Sequence, residues 1–162
     1  MRDDYFYLKL AYQVAAKYST DPSTQNGAVL VDACGNILAD AANCFPTGVK
    51  ETRDRWERPL KYKYVEHAER NVLFSAAKRG ISTRSAKMYV PWFACPDCAR
   101  AIIQCGITEV IGHKKIYDHA PERWEEAVHI GLNLLRESGV QYKLIDGNFG
   151  ITILLDGKEW TA

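Results

Sequence analysis

The sequence predicts an α/β protein: three layers, α/β/α, around one central mixed five-stranded sheet, in a single domain spanning residues 1–162. Two observations carry this. Apolar residues recur at helical spacing in some stretches and form short strand-like runs in others, in the order α-β-β-α-β-α-β-α-β. The 162 residues, 47% hydrophobic and 25% charged, suit one core of ordinary composition.

Residues 3–19 read as an amphipathic helix, with Phe6, Leu10, Val14 and Tyr7, Ala11, Tyr18 at helical spacing and Asp3 and Asp4 at the end that favours acids. Thr20-Asp21-Pro22 ends it, because proline disfavours helix in the residue before it. Residues 27–33 form a strand, 34–36 a turn and 36–42 a second strand. Residues 43–64 lack a period and are rich in Lys and Arg; so long a connection in a compact domain reads as an ordered flap over a site. A helix follows at 65–79, stopped by Gly80, then a strand at 86–90. Cys95-Pro96 opens the next helix with proline at its first position, and that helix runs to Gly106. Residues 108–111 are a strand, 121–137 a helix ended by Gly139, and 140–145 the last strand of the sheet. Residues 146–162 are a C-terminal extension, in which Asp156-Gly157 marks the turn of a small hairpin.

Net charge is +1 at pH 7, which gives no whole-molecule field for nucleic acid or an anionic membrane. No apolar run approaches the roughly 20 residues of a membrane span. The opening Met1-Arg2-Asp3-Asp4 lacks an apolar signal segment. These features predict a cytoplasmic protein whose five cysteines are ligands or buried thiols, not disulfides.

Chemistry concentrates in Val65-Glu66-His67-Ala68-Glu69 and Ala94-Cys95-Pro96-Asp97-Cys98. His67, Cys95 and Cys98 offer three zinc ligands, and three protein ligands with a fourth position left for water mark a catalytic zinc site. Cys95 and Cys98 are three apart on one helical face, in a first turn where free amides and the helix dipole favour thiolate. Glu69, two residues past the histidine, is placed to carry protons beside that water. The set matches the His-x-Glu…Cys-x-x-Cys signature of zinc deaminases, with Ala94 where proline usually precedes the first cysteine. A structural zinc site would need a fourth ligand from His113, His119, Cys105 or Cys34, none of which is spaced as a second ligand pair. A redox role for the Cys-x-x-Cys pair lacks a thioredoxin-like setting. A catalytically silent zinc module would have no use for Glu69.

With these residues the chain resembles the deoxycytidylate (dCMP) deaminases of the cytidine deaminase superfamily, from about residue 5 to 145. The likeness includes Thr24-Gln25-Asn26-Gly27-Ala28, His67-Ala68-Glu69-Arg70-Asn71, and Cys95 through Gln104 followed by Cys105-Gly106-Ile107. It implies a cytidine-deaminase-like fold and hydrolysis of dCMP to dUMP and ammonia, with one Zn2+ per subunit on His67, Cys95 and Cys98. Glu69 would be the proton shuttle, and the Cys95 backbone amide would polarise the attacked position. It also implies a homo-oligomer, often a hexamer, activated by dCTP and inhibited by dTTP, with Mg2+ accompanying such effectors. Membrane and nucleic-acid partners are not expected.

Asn43 corresponds to a nucleotide-contacting asparagine of the family's Gly-Tyr-Asn-Gly loop, which here reads Ala41-Ala42-Asn43-Cys44. Asn26 replaces an apolar residue near the base; either a ligand or neighbouring backbone satisfies its amide. Trp92 and Phe93 either stack on the base or pack in the core, and Ala68 completes the expected substrate contacts. Arg53, Arg55 and Arg58 lead the candidates for the phosphate, because the guanidinium fork suits it. The alternative is the same zinc chemistry on another aminated substrate: a 5-substituted dCMP, a nucleoside, a free base, a purine nucleotide or a nucleic-acid base.

Overall fold

The computed structural model describes residues 2–92, 94–119 and 121–162. Helix α1 (Asp4–Tyr18) starts where Asp3 accepts a hydrogen bond from the Phe6 amide, and leads to the hairpin β1 (Gly27–Val31) and β2 (Ile37–Ala42). Next come a short helix α2 (Lys61–Tyr64), α3 (Ala68–Lys78), β3 (Lys87–Tyr89), α4 (Pro96–Gln104), β4 (Glu109–His113), the short α5 (Lys114–Asp118), α6 (Glu125–Glu137) and β5 (Gln141–Ile145). The hairpin β6 (Thr152–Leu155) and β7 (Lys158–Thr161) closes the chain.

The sheet runs β2-β1-β3-β4-β5, with β1 antiparallel to β2 and β3, and β3, β4 and β5 parallel. This is the mixed five-stranded sheet that the sequence predicts. One face buries Leu30, Met88 and Val110 against Val72 of α3, Ile102 of α4 and Leu135 of α6. The other buries Val29, Val31 and Ile111 against Leu8, Ala11 and Tyr12 of α1, together with Phe149 and Ile153 of the C-terminal segment. Both sides of β1 are covered, which is why Gly27 to Val31 is apolar throughout and buried at every position. Gly27 lets α1 approach: a Cβ there would stand 2.3 Å from the Ala11 carbonyl oxygen.

Two helices begin later than the sequence reading, while the segment 43–64 is ordered as expected. The helix expected at 65–79 begins at Ala68, because Glu66 is drawn into extended pairing with Cys44 by two backbone hydrogen bonds. The helix expected at 121–137 begins at Glu125, preceded by a 3-10 turn over Glu122–Trp124. The segment 43–64 is ordered, with a 3-10 turn at Arg53–Trp56, α2, and Phe45 packed on Trp56 and Tyr64 at ring separations of 4.3 and 5.6 Å.

The β6–β7 hairpin is tied to the loop after α1. Gln25 donates its amide to Leu154 and accepts the Leu154 amide on its side chain, and Gly157 donates to the Ser23 carbonyl. Among the described residues, no helix is long and apolar enough to cross a membrane.

Candidate active site

Two helix N-termini meet at the site. His67 is the N-cap of α3 and Cys95 the N-cap of α4, both with extended backbone. Cys98, one turn into α4, is buried. His67 Nδ1 lies 3.6 Å from Cys95 Sγ and 3.6 Å from Cys98 Sγ. Among the described residues, this is the one group of three or more His, Cys, Asp or Glu side chains that can share a metal ion. Two helix dipoles directed at one point favour the anionic thiolates that a metal needs.

Glu69, in the first turn of α3, is 1% exposed, and among the described residues neither carboxylate oxygen has a hydrogen-bond partner. Burial pushes its pKa up to about 7, and the His67 charge only partly offsets this. An unpaired carboxylate in a protein interior is costly, so its partner is to be sought in what the cleft binds. The thiols divide their proton unequally. The hydrogen bond from Cys98, with His67 nearby, holds Cys95 down at about 4, while the thiolate beside it pushes Cys98 up. A divalent cation would remove that conflict and suit both sulfurs. Arg70 already leans the same way, with Nη1 3.6 Å from Cys98 Sγ and its guanidinium held by Glu66. The residues therefore fit a zinc ion.

His67, Glu69 and Cys95 line a cleft of about 730 Å3, counted to its open mouth. Apolar walls come from Val65, Trp92, Trp124, Ala127 and Val128, with Tyr62 and Trp124 meeting edge to face across 5.8 Å. Ala68, Asn26 and Asn43 also line it. Asn43, however, spends its carboxamide inside the protein. Its oxygen accepts from the Asn26 amide and the Ser19 hydroxyl, both at 2.7 Å, and its nitrogen donates to Thr24 O at 2.7 Å and Asp21 at 3.2 Å. Asn26 Oδ1 accepts the Trp92 amide at 3.4 Å. Phe93 lies outside the described residues.

Of the three arginines expected at the phosphate, the cleft takes only Arg58. Arg53 is exposed elsewhere on the flap, and Arg55 donates to the Lys50 carbonyl while its guanidinium covers the Tyr64 ring at 4.5 Å. Arg123 lines the cleft instead, and so do Lys61 and Asp156. Lys61 is buried, 2.7 Å from Asp21 Oδ2 and 2.8 Å from Ser23 Oγ. Asp156 bridges Arg58 and Arg123. Reading 121–137 as one helix hid Arg123, and Lys61 was only one of several charges in the basic segment 43–64. His113 is a core residue, and His119 and His129 are exposed.

Residues 1–114 match the model of the cytidine and deoxycytidylate deaminase zinc-binding region. An uncharacterized deaminase from Aliivibrio fischeri is 34% identical over 80% of this chain and 84% of its own. The deoxycytidylate deaminase of Homo sapiens is 34% identical over 75% of this chain and 72% of its own. The crystal structure of the cyanophage S-TIM5 dCMP deaminase in complex with dCMP and dUMP superposes with a TM-score of 0.63 at 28% identity, covering 89% of this chain and 99% of that one.

Proposed function

The chain belongs to the cytidine and deoxycytidylate deaminases, zinc-dependent hydrolases, and from that membership we propose that it converts dCMP and water to dUMP and ammonia. The observation that carries the reading is Glu69: a buried carboxylate without a hydrogen-bond partner among the described residues, beside the His67–Cys95–Cys98 triad and in one cleft with Arg58 and Arg123.

In this reading His67 Nδ1 and the two sulfurs would hold the zinc. When bound, zinc lowers the pKa of a coordinated water toward neutrality. Glu69 accepts a proton from the attacking water and delivers it to the ring nitrogen of the base. It then delivers the second proton to the leaving amine, which departs as ammonia. The Cys95 backbone amide polarises the attacked position. Trp92, Val65 and Val128 exclude water around the ring, and Asn26 and Ala68 set its edge. Arg58 and Arg123 take the phosphate, since planar donor forks pair well with its oxygens.

The family resemblance supports a homo-oligomer under dCTP and dTTP control. It also favours a cytoplasmic setting, whose reducing chemistry keeps ligand thiols free. Loss of both glycines from the loop around Asn43, where the chain reads Ala41-Ala42-Asn43-Cys44, bears directly on that control.

The test is ammonia release by the zinc-loaded protein from dCMP, CMP, 5-methyl-dCMP, deoxycytidine, cytosine and dAMP, with and without dCTP and dTTP, and with light scattering for the oligomer. Preferred turnover of dCMP is the expected result. Activity confined to another substrate would keep the zinc chemistry and overturn the choice of dCMP.

A further inference from the structure

The cleft carries an anion of its own at its mouth. Asp156 sits at the tip of the β6–β7 hairpin, and one carboxylate oxygen takes Arg58 Nη2 at 3.0 Å and Arg123 Nη2 at 2.5 Å. The arginines come from distant parts of the chain, Arg58 from the flap before α2 and Arg123 from the turn before α6. All three residues line the same cleft as Glu69. Two guanidiniums converging on one oxygen is how proteins grip a phosphate, yet a single carboxylate neutralises only half of their charge.

Turn chemistry puts Asp156 there. Asp156 and Gly157 have φ of +52° and +79°, the left-handed pair that two-residue hairpins require and that Asp-Gly adopts readily. The tip is tethered by the Gly157 amide, which donates to Ser23 O at 2.7 Å. The carboxylate itself is 37% exposed, so its ion pairs are weak and can be exchanged for stronger ones.

Resting on the dCMP reading, we propose that Asp156 is a built-in stand-in for the substrate's phosphate. Its carboxylate fills the seat between Arg58 and Arg123 in the free enzyme and yields it to a phosphomonoester. A phosphate, with more charge and three acceptor oxygens, displaces the carboxylate; an unphosphorylated nucleoside does not. Asp156 thus keeps both arginines aligned before substrate arrives, and sets a threshold that weak anions fail to cross.

Asp156→Asn separates charge from turn, because asparagine takes the left-handed conformation as readily. The probe is inorganic phosphate, titrated calorimetrically into the zinc-loaded full chain, with dCMP kinetics alongside. The Kd for phosphate and the KM for dCMP should both fall about threefold, the size of one exposed ion pair. Asp118→Asn, which makes the same charge change on α5 in a pair with Lys114, should move neither. Arg123→Gln should weaken phosphate at least about fivefold. Phosphate affinity in Asp156→Asn equal to or below wild type overturns the proposal, since Asp156 would then be a brace and not a competitor. So does an Arg123→Gln protein that binds phosphate normally. The titration needs no turnover: absent dCMP activity with tighter phosphate in Asp156→Asn would overturn the substrate and leave the seat standing.

Discussion

A Cβ on Gly131 of α6 would lie 2.1 Å from the carbonyl oxygen of Ala94, the residue before Cys95. Helix α6 is therefore seated directly on the backbone that positions Cys95, a candidate metal ligand. Gly131→Ala must push the two apart. The expected cost is about 1–3 kcal/mol of overpacking, seen in urea melts, together with zinc content per chain below wild type. Wild-type zinc and stability in this variant would mean that α6 gives way without moving Cys95.

Glu69→Gln keeps the shape of the side chain and removes its proton chemistry. Turnover should fall by at least about 10²-fold, the lower range for a lost general acid–base group. Zinc content should stay unchanged, because the three ligand atoms belong to His67, Cys95 and Cys98. Residual turnover near wild type would remove Glu69 from the proton path.

The basic flap divides by geometry. Arg58→Gln should raise KM for dCMP about tenfold while sparing deoxycytidine, as expected for one lost charge-assisted contact to phosphate. Arg53→Gln and Arg55→Gln should leave dCMP kinetics within about twofold, because neither side chain lines the cleft. Equal effects of all three would mean that the flap acts through its general field.

The clustering of His67, Cys95 and Cys98 beside Glu69 was legible because local spacing sets it: two residues apart on one side, three on the other, each at a helix start. Asn26, Asn43, Arg58, Ala68 and Trp92 were legible too and line the cleft, but Val65, Trp124, Ala127 and Val128 were not. Asn43 reads as a substrate contact by position, yet its amide joins Ser19, Asp21, Thr24 and Asn26, a convergence visible only once α1, β1 and β2 are packed. Helices as short as Lys61–Tyr64 span too few residues to show a period, so Lys61 read only as one more charge in a basic loop. The Asp156-Gly157 turn was readable from two residues, but the arginines it faces lie 98 and 33 positions away.

Lys61 and Asp21 form a buried pair, 5% and 2% exposed, that anchors the Asn43 network. Lys61→Met strands Asp21 without its cation and should cost about 3–5 kcal/mol. Adding Asp21→Asn should recover part of that loss, giving a coupling of about 0.5–3 kcal/mol in a double-mutant cycle. Additive losses would show that the pair acts through separate contacts.

His113 gives the fold a pH dependence separate from the metal site. It is fully buried, with Nε2 3.3 Å from Gly147 O and Nδ1 2.6 Å from the Tyr12 hydroxyl. A carbonyl only accepts, so Nε2 carries the hydrogen and Nδ1 accepts from Tyr12, which is the neutral ring. Burial holds its pKa below the ordinary histidine value; the Gly147 carbonyl and Asp146 oppose this, and Lys115 adds to it. The unfolded chain therefore binds this proton more readily than the folded one. The stability that His113 contributes is complete above about pH 6.5, its unfolded pKa, and is lost as pH falls through the window below that value. The slope for one such group is at most about 1.4 kcal/mol per pH unit. Urea midpoints from pH 7.5 to 5 for wild type and His113→Gln test this, because His67, Cys95 and Cys98 are present in both and their contributions cancel in the difference. The wild-type advantage should shrink as pH falls. An advantage constant across that range would assign the acid sensitivity to other groups.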